Sequence, residues 1–164
     1  MERILLLMRH GKSKWDDEDL ADHDRPLAKR GKRDSERVGQ ELDSAGWTPD
    51  VILCSTAKRA AKTAKRVAKN SGYKGDVLYQ PSLYWGDVRA YLQAVSALDD
   101  DDHVALLIAH NPILEELAHT LTKKRITMPT CTVVAVQLDE KHWRSIADKP
   151  DTKLLTVLRA KELA

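Results

Sequence analysis

The sequence predicts an α/β protein, a three-layer α/β/α sandwich with a mostly parallel central sheet. Short apolar runs alternate along the chain with longer amphipathic segments, which is the pattern of strands that lead into helices. The run at 104–109 is wholly apolar, as expected of a central strand that is covered on both faces. The chain has 164 residues and no repeat or linker-like segment, so we expect a single domain over residues 1–164.

The periodicity places each element in turn. Strands are predicted at 4–8, 51–54, 77–79, 104–109, 132–138 and 154–158. Helices are predicted at about 28–45, ended by Gly46, at 57–68, and along the apolar positions from 88 to 98. A last helix is predicted through 113–121, with Asn111 as its N-cap and Pro112 in its first turn.

Composition excludes several classes of partner. A formal net charge of +2 is too small to predict binding to nucleic acid or to a membrane surface. The basic side of the second helix is therefore interpreted as a solvated face rather than a nucleic-acid patch. The apolar run at 4–8 is too short for a signal peptide or a membrane span, so a cytoplasmic location is expected. Two cysteines do not make a disulfide framework.

Three clusters of polar residues follow predicted strands. Arg9-His10-Gly11 follows the first strand, Ser55-Thr56 with Arg59 follows the second, and His110-Asn111-Pro112 follows the fourth. In an open α/β sheet, ligands bind at the carboxyl edge of the strands, so these clusters are expected to meet in one crevice. Cations and helix N-termini gathered in one place suit a compact anion such as phosphate.

The residue types in these clusters suit phosphoryl chemistry. Arg9 and Arg59 offer planar guanidinium groups that can fork onto phosphoryl oxygens, which lysine does less well. His10 and His110 lie beside these like charges, which should lower the pKa of both rings. A neutral imidazole is the form that can attack phosphorus. Gly11 is expected to allow the close backbone approach or unusual dihedral angles of the turn after His10.

Metal binding is the main alternative for paired histidines, and the sequence does not favour it. His10 and His110 stand next to fixed cations, and no His-x-x-x-His spacing occurs. The run of carboxylates at 99–102 lacks the spacing of a calcium loop and is interpreted as a solvated turn. We therefore predict no metal and no cofactor.

The quoted motifs resemble those of the histidine phosphatase superfamily, also called phosphoglycerate mutase-like. The resemblance rests on Arg9-His10-Gly11-Lys12-Ser13, on the segment from Ser55 to Thr63 and on Ala109-His110-Asn111-Pro112, and it extends over nearly the whole chain. It implies that His10 is the nucleophile, that Arg9 and Arg59 clamp the phosphate, and that His110 donates to the phosphoryl group. Gly11 and Ser13 are implied to lie near the substrate.

Within the superfamily, the short chain and the opening Arg-His-Gly-Lys-Ser-x-Trp-Asp-Asp look most like the SixA-type phosphohistidine phosphatases. Larger relatives carry a glutamate general acid after the third strand, where this chain has Trp85. Asp87 is the remaining candidate acid, although a carboxylate at a helix N-terminus equally explains it. Lack of an acid disfavours expulsion of an alkoxide and favours a phosphoramidate such as phosphohistidine.

The sequence thus predicts a phosphatase that hydrolyses phosphohistidine on a protein, such as a histidine-phosphorylated carrier domain, through a phosphorylated His10. Two alternatives stay open. The chain could be a phosphomonoesterase or mutase acting on a small phosphorylated compound, or a phosphate-binding regulatory module without turnover.

Overall fold

A six-stranded sheet forms the centre of the molecule in the computed structural model, which describes residues 2–163. The strands are β1 (Arg3–Arg9), β2 (Val51–Ser55), β3 (Val77–Gln80), β4 (Val104–Ala109), β5 (Thr132–Leu138) and β6 (Thr152–Arg159). Their order across the sheet is β3-β2-β4-β1-β5-β6. The first four strands run parallel, and β5 is antiparallel to both of its neighbours. The predicted mostly parallel α/β fold is confirmed.

Helices cover both faces of this sheet. They are α1 (Lys29–Ser44), α2 (Lys58–Ser71), α3 (Ser82–Trp85), α4 (Val88–Ser96) and α5 (Ile113–Thr122). Helices α1 and α2 pack on one face, while α4 and α5 pack on the other. The layers are therefore helix, sheet and helix, as the sequence predicted.

The central strands are apolar throughout because both of their faces are covered. Along β1, Leu5 and Leu7 point into the core beneath α4 and α5, whereas Leu6 and Met8 point into the core beneath α1 and α2. This alternation is the ordinary two-residue period of a strand. All four side chains are fully buried. Packing on both faces therefore fixes the position of β1, which leads directly into His10.

Some elements lie outside the sequence prediction. The short helix α3 was not predicted, nor were the 3₁₀ helices Asp22–Asp24, Trp143–Ala147 and Ala160–Glu162. Each has five residues or fewer, so its sequence covers too few turns to show a helical period. Helix α4 ends at Ser96, two residues before the last predicted apolar position.

The predicted cap of α5 is wrong. Pro112 occupies the cap position with helical backbone angles, and no side chain caps the helix. The side-chain nitrogen of Asn111 instead donates to Glu115 Oε2 and to the carbonyl oxygen of Met128, both at 2.9 Å. Both partners can only accept, so the amide group turns its nitrogen toward them and its oxygen cannot take the capping role.

Two glycines allow the segment after β1 to lie directly on α1. A Cβ on Gly11 would be 2.9 Å from the carbonyl oxygen of Gly31, and one on Gly31 would be 2.4 Å from the carbonyl oxygen of Lys12. Real Cβ atoms do not approach backbone this closely. The position of the turn after His10 therefore depends on the missing side chains of Gly11 and Gly31.

This contact gives a stability prediction. Gly31→Ala should lower the free energy of unfolding by about 1–3 kcal/mol, because the new methyl group must displace backbone. In an ordinary helix the same change would be stabilising by up to about 1 kcal/mol. Chemical denaturation measures the difference, with Lys32→Ala at an exposed position of α1 as the control. A Gly31→Ala protein as stable as the wild type would contradict the proposed close packing.

Candidate active site

His10 and His110 lie next to each other at the carboxyl edge of the sheet. Arg9 ends β1 and Ala109 ends β4, and these two residues are paired in register. The residues that follow them are therefore neighbours, and their imidazole rings have centroids 5.0 Å apart. His10 is 6% exposed and His110 is 8% exposed.

An open cavity of about 490 Å³ lies over the two rings. Its walls include Arg9, Ser13 and Arg59 as well as both histidines. The structure thus brings together five of the six residues that the sequence singled out, from three separate segments of the chain.

Gly11, the sixth residue, supports His10 instead of lining the cavity. Its N–H donates to Thr63 Oγ1 at 2.9 Å, and its carbonyl oxygen lies 2.7 Å from His10 Nδ1. Of the two reasons considered for a glycine here, the close backbone approach applies, since Gly11 is not among the glycines with positive φ.

The tautomer of neutral His10 follows from these contacts. The carbonyl oxygen of Gly11 can only accept, so Nδ1 carries the ring proton. Nε2 is then unprotonated and accepts a hydrogen bond from Nε of Arg59 at 3.3 Å. The lone pair on Nε2 is the nucleophilic position of such a ring.

Both imidazoles are uncharged at neutral pH. Burial lowers the pKa of His10 to about 4, with further lowering by the charges of Arg59, Arg9 and Arg25 and an opposing effect of the backbone hydrogen bond. Burial likewise lowers the pKa of His110 to about 3, assisted by His10 and Arg59. The sequence predicted this direction from like charge alone. Removal of the rings from water is the larger cause.

Arg59 is fixed in the first turn of α2. Its Nη1 donates to the carbonyl oxygen of Asp22 at 2.8 Å, and its Nη2 donates to Asp22 Oδ2 at 3.1 Å. Together with the bond to His10, these contacts occupy all three nitrogens of a buried guanidinium group. Asp22 is therefore the counterion of Arg59 in this structure.

Arg9 is held by the loop at Met128. Its Nη1 donates to the carbonyl oxygen of Met128 at 3.2 Å, and the Met128 N–H donates to Glu115 Oε2 at 2.8 Å. Within residues 2–163, the buried Nε of Arg9 has no hydrogen-bond partner. An unpaired donor on a cavity-lining cation is what an anionic ligand can satisfy.

Ser55 orients His110. Its Oγ lies 2.7 Å from His110 Nε2 and accepts the Ala57 N–H at 3.2 Å. Because Nε2 is engaged with Ser55, only Nδ1 is left to interact with a ligand. The sequence named Ser55 as part of a cluster but gave it no role, since a contact between residues 55 positions apart has no local signal.

The sequence prediction gave no role to Asp22 or Arg25. Arg25 donates through Nη1 to Ser13 Oγ at 3.0 Å and through Nε to Asp22 Oδ1 at 3.1 Å, and its guanidinium lies 3.2 Å from the ring centroid of Trp15. Tyr84 donates its hydroxyl hydrogen to Asp22 Oδ2 at 2.8 Å. The segment Asp24-Arg25-Pro26-Leu27, which resembles the superfamily's segment leading into the first helix, was the available signal for Arg25.

No carboxylic acid of the described chain is poised to donate a proton in this cavity. Asp87 caps α4 by accepting the Ala90 N–H at 3.0 Å and does not line the cavity. Asp22 does line the cavity. Partial burial raises its pKa, but hydrogen bonds from Tyr84 and Arg59 and nearby positive charge outweigh that effect and hold the pKa at about 2. Trp85, which stands where larger relatives carry a glutamate, lies on the rim of the cavity.

Two further findings bear on the sequence analysis. Residues 2–163 contain no group of three or more His, Cys, Asp or Glu side chains arranged to hold a metal ion. None of the helices in that range is both long enough and apolar enough to cross a bilayer.

Comparison with known proteins agrees with this geometry. The family model of the histidine phosphatase superfamily, branch 1, matches residues 5–83. An uncharacterised chloroplast protein of Arabidopsis thaliana is 36% identical in an alignment 152 positions long, which covers 87% of this chain and 70% of that protein. The chain belongs to the histidine phosphatase superfamily. It is accordingly a phosphatase.

Solved structures place this histidine phosphatase near the SixA proteins. A structure assigned as the phosphohistidine phosphatase SixA of Nakamurella multipartitia superposes with a TM-score of 0.87 at 26% identity, covering 97% of this chain and 96% of that one. The protein histidine phosphatase SixA in complex with tungstate gives a TM-score of 0.80 at 24% identity, covering 96% and 97%. The second likeness concerns the fold alone.

The buried imidazoles make the phosphatase sensitive to acid in a defined range. His10 should titrate near pH 4, well below the ordinary value of 6.5. Between these values the unfolded chain binds a proton that folded His10 does not, so the free energy of unfolding should fall as the pH falls from 6.5 toward 4. NMR titration of the His10 ring protons measures the midpoint, and denaturation at several pH values measures the stability. A midpoint at 6 or above is incompatible with a neutral His10 site.

Ser55 is expected to act through His110. Ser55→Ala leaves the buried Nε2 of His110 without its partner and frees the ring to reorient, so kcat should fall about tenfold or more with a smaller change in KM. Nitrogen NMR of the His110 ring should show a changed tautomer balance. Ser71→Ala removes an equally buried hydroxyl from the far end of α2 and should leave both readouts unchanged. Equal losses in the two variants would indicate a purely structural role for Ser55.

Proposed function

We propose that this phosphatase hydrolyses phosphohistidine on a protein substrate through a covalent phosphohistidine at His10. The observation that carries the proposal is the combination of an unprotonated His10 Nε2 with a cationic cavity that lacks a poised acid. The first feature provides a nucleophile, and the second selects the leaving group.

In the first step, Nε2 of His10 attacks phosphorus in line with the bond to the substrate. A new P–N bond forms as the P–N bond to the substrate imidazole breaks, and the bonding electrons leave on that imidazole. Arg9, Arg59 and the Nδ1 side of His110 contact the equatorial oxygens, where negative charge is concentrated. The proton on Nδ1 of His10 remains directed at Gly11, which stabilises the positive charge that forms on the ring.

In the second step, water attacks phosphorus and the P–N bond to His10 breaks. His10 leaves as a neutral imidazole with the same tautomer that it had at the start. Inorganic phosphate is the product. Each step exchanges one bond at phosphorus and needs no redox chemistry.

The leaving group decides between substrate classes. An alkoxide needs general-acid help, which is typically worth about a hundredfold or more. Asp22 is ionised and Asp87 caps a helix, so neither provides it. A phosphorylated imidazole can take up a proton from water on its other nitrogen before the bond breaks, and it then departs as a neutral ring. The chemistry of this cavity therefore favours a phosphoramidate.

The mouth of the cavity suits a macromolecular substrate. Trp15 and Trp85 stand on its rim and are 69% and 73% exposed. A histidine side chain projecting from a folded carrier domain could enter between them while the carrier stays outside. The likeness to the structure assigned as the phosphohistidine phosphatase SixA of Nakamurella multipartitia supports the same substrate class.

A substrate comparison tests the proposal. Purified protein should hydrolyse a histidine-phosphorylated carrier domain at least about a hundredfold faster, as kcat/KM, than a sugar phosphate or an alkyl phosphate. Phosphate release with each substrate is the measurement. Equal or greater efficiency with the sugar phosphate would instead assign the enzyme to small phosphorylated compounds.

The catalytic residues are tested separately. His10→Ala should abolish turnover and prevent trapping of acid-labile phosphate on the protein. Arg9→Ala or Arg59→Ala should reduce kcat/KM by about 10²–10³, as for loss of one charged donor to a transition state. Asp87→Asn is the matched control, because it changes a carboxylate near α4 that does not line the cavity. Near-normal turnover by His10→Ala would remove His10 as the nucleophile.

A further inference from the structure

A second cavity, of about 440 Å³, is lined by α1, by residues 129–132 and by residues 159–161. We call it the arginine cavity, and its polar walls are formed by Arg30, Arg33, Asp34, Arg37, Arg159 and Lys161. The first four belong to α1, and the last two come from the end of β6 and the 3₁₀ helix that follows it. The proposed reaction uses none of these residues.

Charge in the arginine cavity is strongly unbalanced. Five cationic side chains and a single carboxylate line it, in a protein whose whole formal charge is +2. Asp34 lies 4.0, 3.8 and 3.9 Å from the nitrogens of Arg30, Arg33 and Arg37, at the outer limit of ion pairing. One carboxylate cannot neutralise three guanidinium groups.

The spacing on α1 holds three of these cations together on one side of the helix. Arg30, Arg33 and Arg37 are separated by three and four residues, so they share one helix face, and like charges at this spacing destabilise a helix. The cations that complete the cavity come from a distant part of the sequence. Such an arrangement is relieved when an anion binds between the walls.

An independent observation points to a ligand at the same place. Thr132 lines the arginine cavity, is fully buried, and has an Oγ1 atom without a hydrogen-bond partner within residues 2–163. Buried hydroxyl groups are normally satisfied. The Oγ1 atom has almost no accessible surface here, so an oxyanion in the cavity would supply the missing acceptor only after neighbouring side chains move aside.

We propose that the arginine cavity binds a diphosphate group. Guanidinium forks on two walls suit two adjacent phosphoryl groups better than a single one, and Arg prefers bidentate phosphate contacts. The diphosphate can come from free pyrophosphate or from a nucleoside diphosphate, which share this chemistry. The site is distinct from the active site, with Thr130 as the one residue of the described chain that lines both cavities.

The test uses inorganic pyrophosphate and full-length protein carrying His10→Ala, so that no turnover occurs. Amide NMR signals of Asp34 and Ala160 report the arginine cavity, whereas the indole signals of Trp15 and Trp85 report the active site. Pyrophosphate should shift the first pair with its own saturation curve. Citrate, an anion of similar charge without phosphorus, should bind at least about tenfold more weakly.

Matched variants locate the site. Arg33→Ala/Arg37→Ala should weaken pyrophosphate binding at Asp34 and Ala160 by about tenfold or more. Lys62→Ala/Lys65→Ala removes the same charge from exposed positions of α2 and should change it by less than about twofold. Retained hydrolysis of an aryl phosphate by both double variants on the wild-type background shows that they fold.

Adenosine diphosphate and adenosine monophosphate complete the experiment. If adenosine diphosphate binds as tightly as pyrophosphate, the site accepts the diphosphate group of a nucleotide. If it binds weakly, the site is restricted to free pyrophosphate. The proposal is overturned if pyrophosphate shifts only the indole signals, if citrate or adenosine monophosphate binds as tightly, or if the two double variants lose the same affinity.

Discussion

The hydrogen bond between His10 Nδ1 and the carbonyl oxygen of Gly11 is the contact on which the site depends. It selects the tautomer and therefore leaves the lone pair on Nε2, where it accepts the hydrogen bond from Arg59 at the cavity wall. The carbonyl group is itself fixed, because Gly11 donates to Thr63 and lies against Gly31 with no space for a side chain. The reactive electron pair of His10 thus depends on the packing of Gly11 against Gly31 of α1 and on the hydrogen bond from Gly11 to Thr63 of α2.

The protein itself offsets part of the positive charge in the active-site cavity. Arg59 and Arg25 both donate to the carboxylate of Asp22, and Tyr84 adds a third hydrogen bond. Buried guanidinium groups without an anion would be costly. The carboxylate satisfies them when no phosphoryl group is bound and keeps Arg59 in the orientation that also contacts His10.

Much of this arrangement could be predicted from sequence, because it rests on strands. Periodicity located β1, β2 and β4, and the rule that ligands bind at strand carboxyl ends brought Arg9, His10 and His110 together. The same reasoning could not find Asp22, whose 3₁₀ helix is too short to show a period. It also misassigned Asn111, because the competing acceptor on Met128 lies 17 residues further along the chain.

The Asp22 contact has a consequence for the end of the catalytic cycle. Phosphate that engages Arg59 Nη2 must take the place of a carboxylate that is tethered to the same wall, and a short tether gives such a group a high effective concentration. If phosphate binds Arg59 as proposed, Asp22 competes with it for the guanidinium group and recaptures Arg59 as the product departs. We therefore expect weak product inhibition and not tight retention of phosphate.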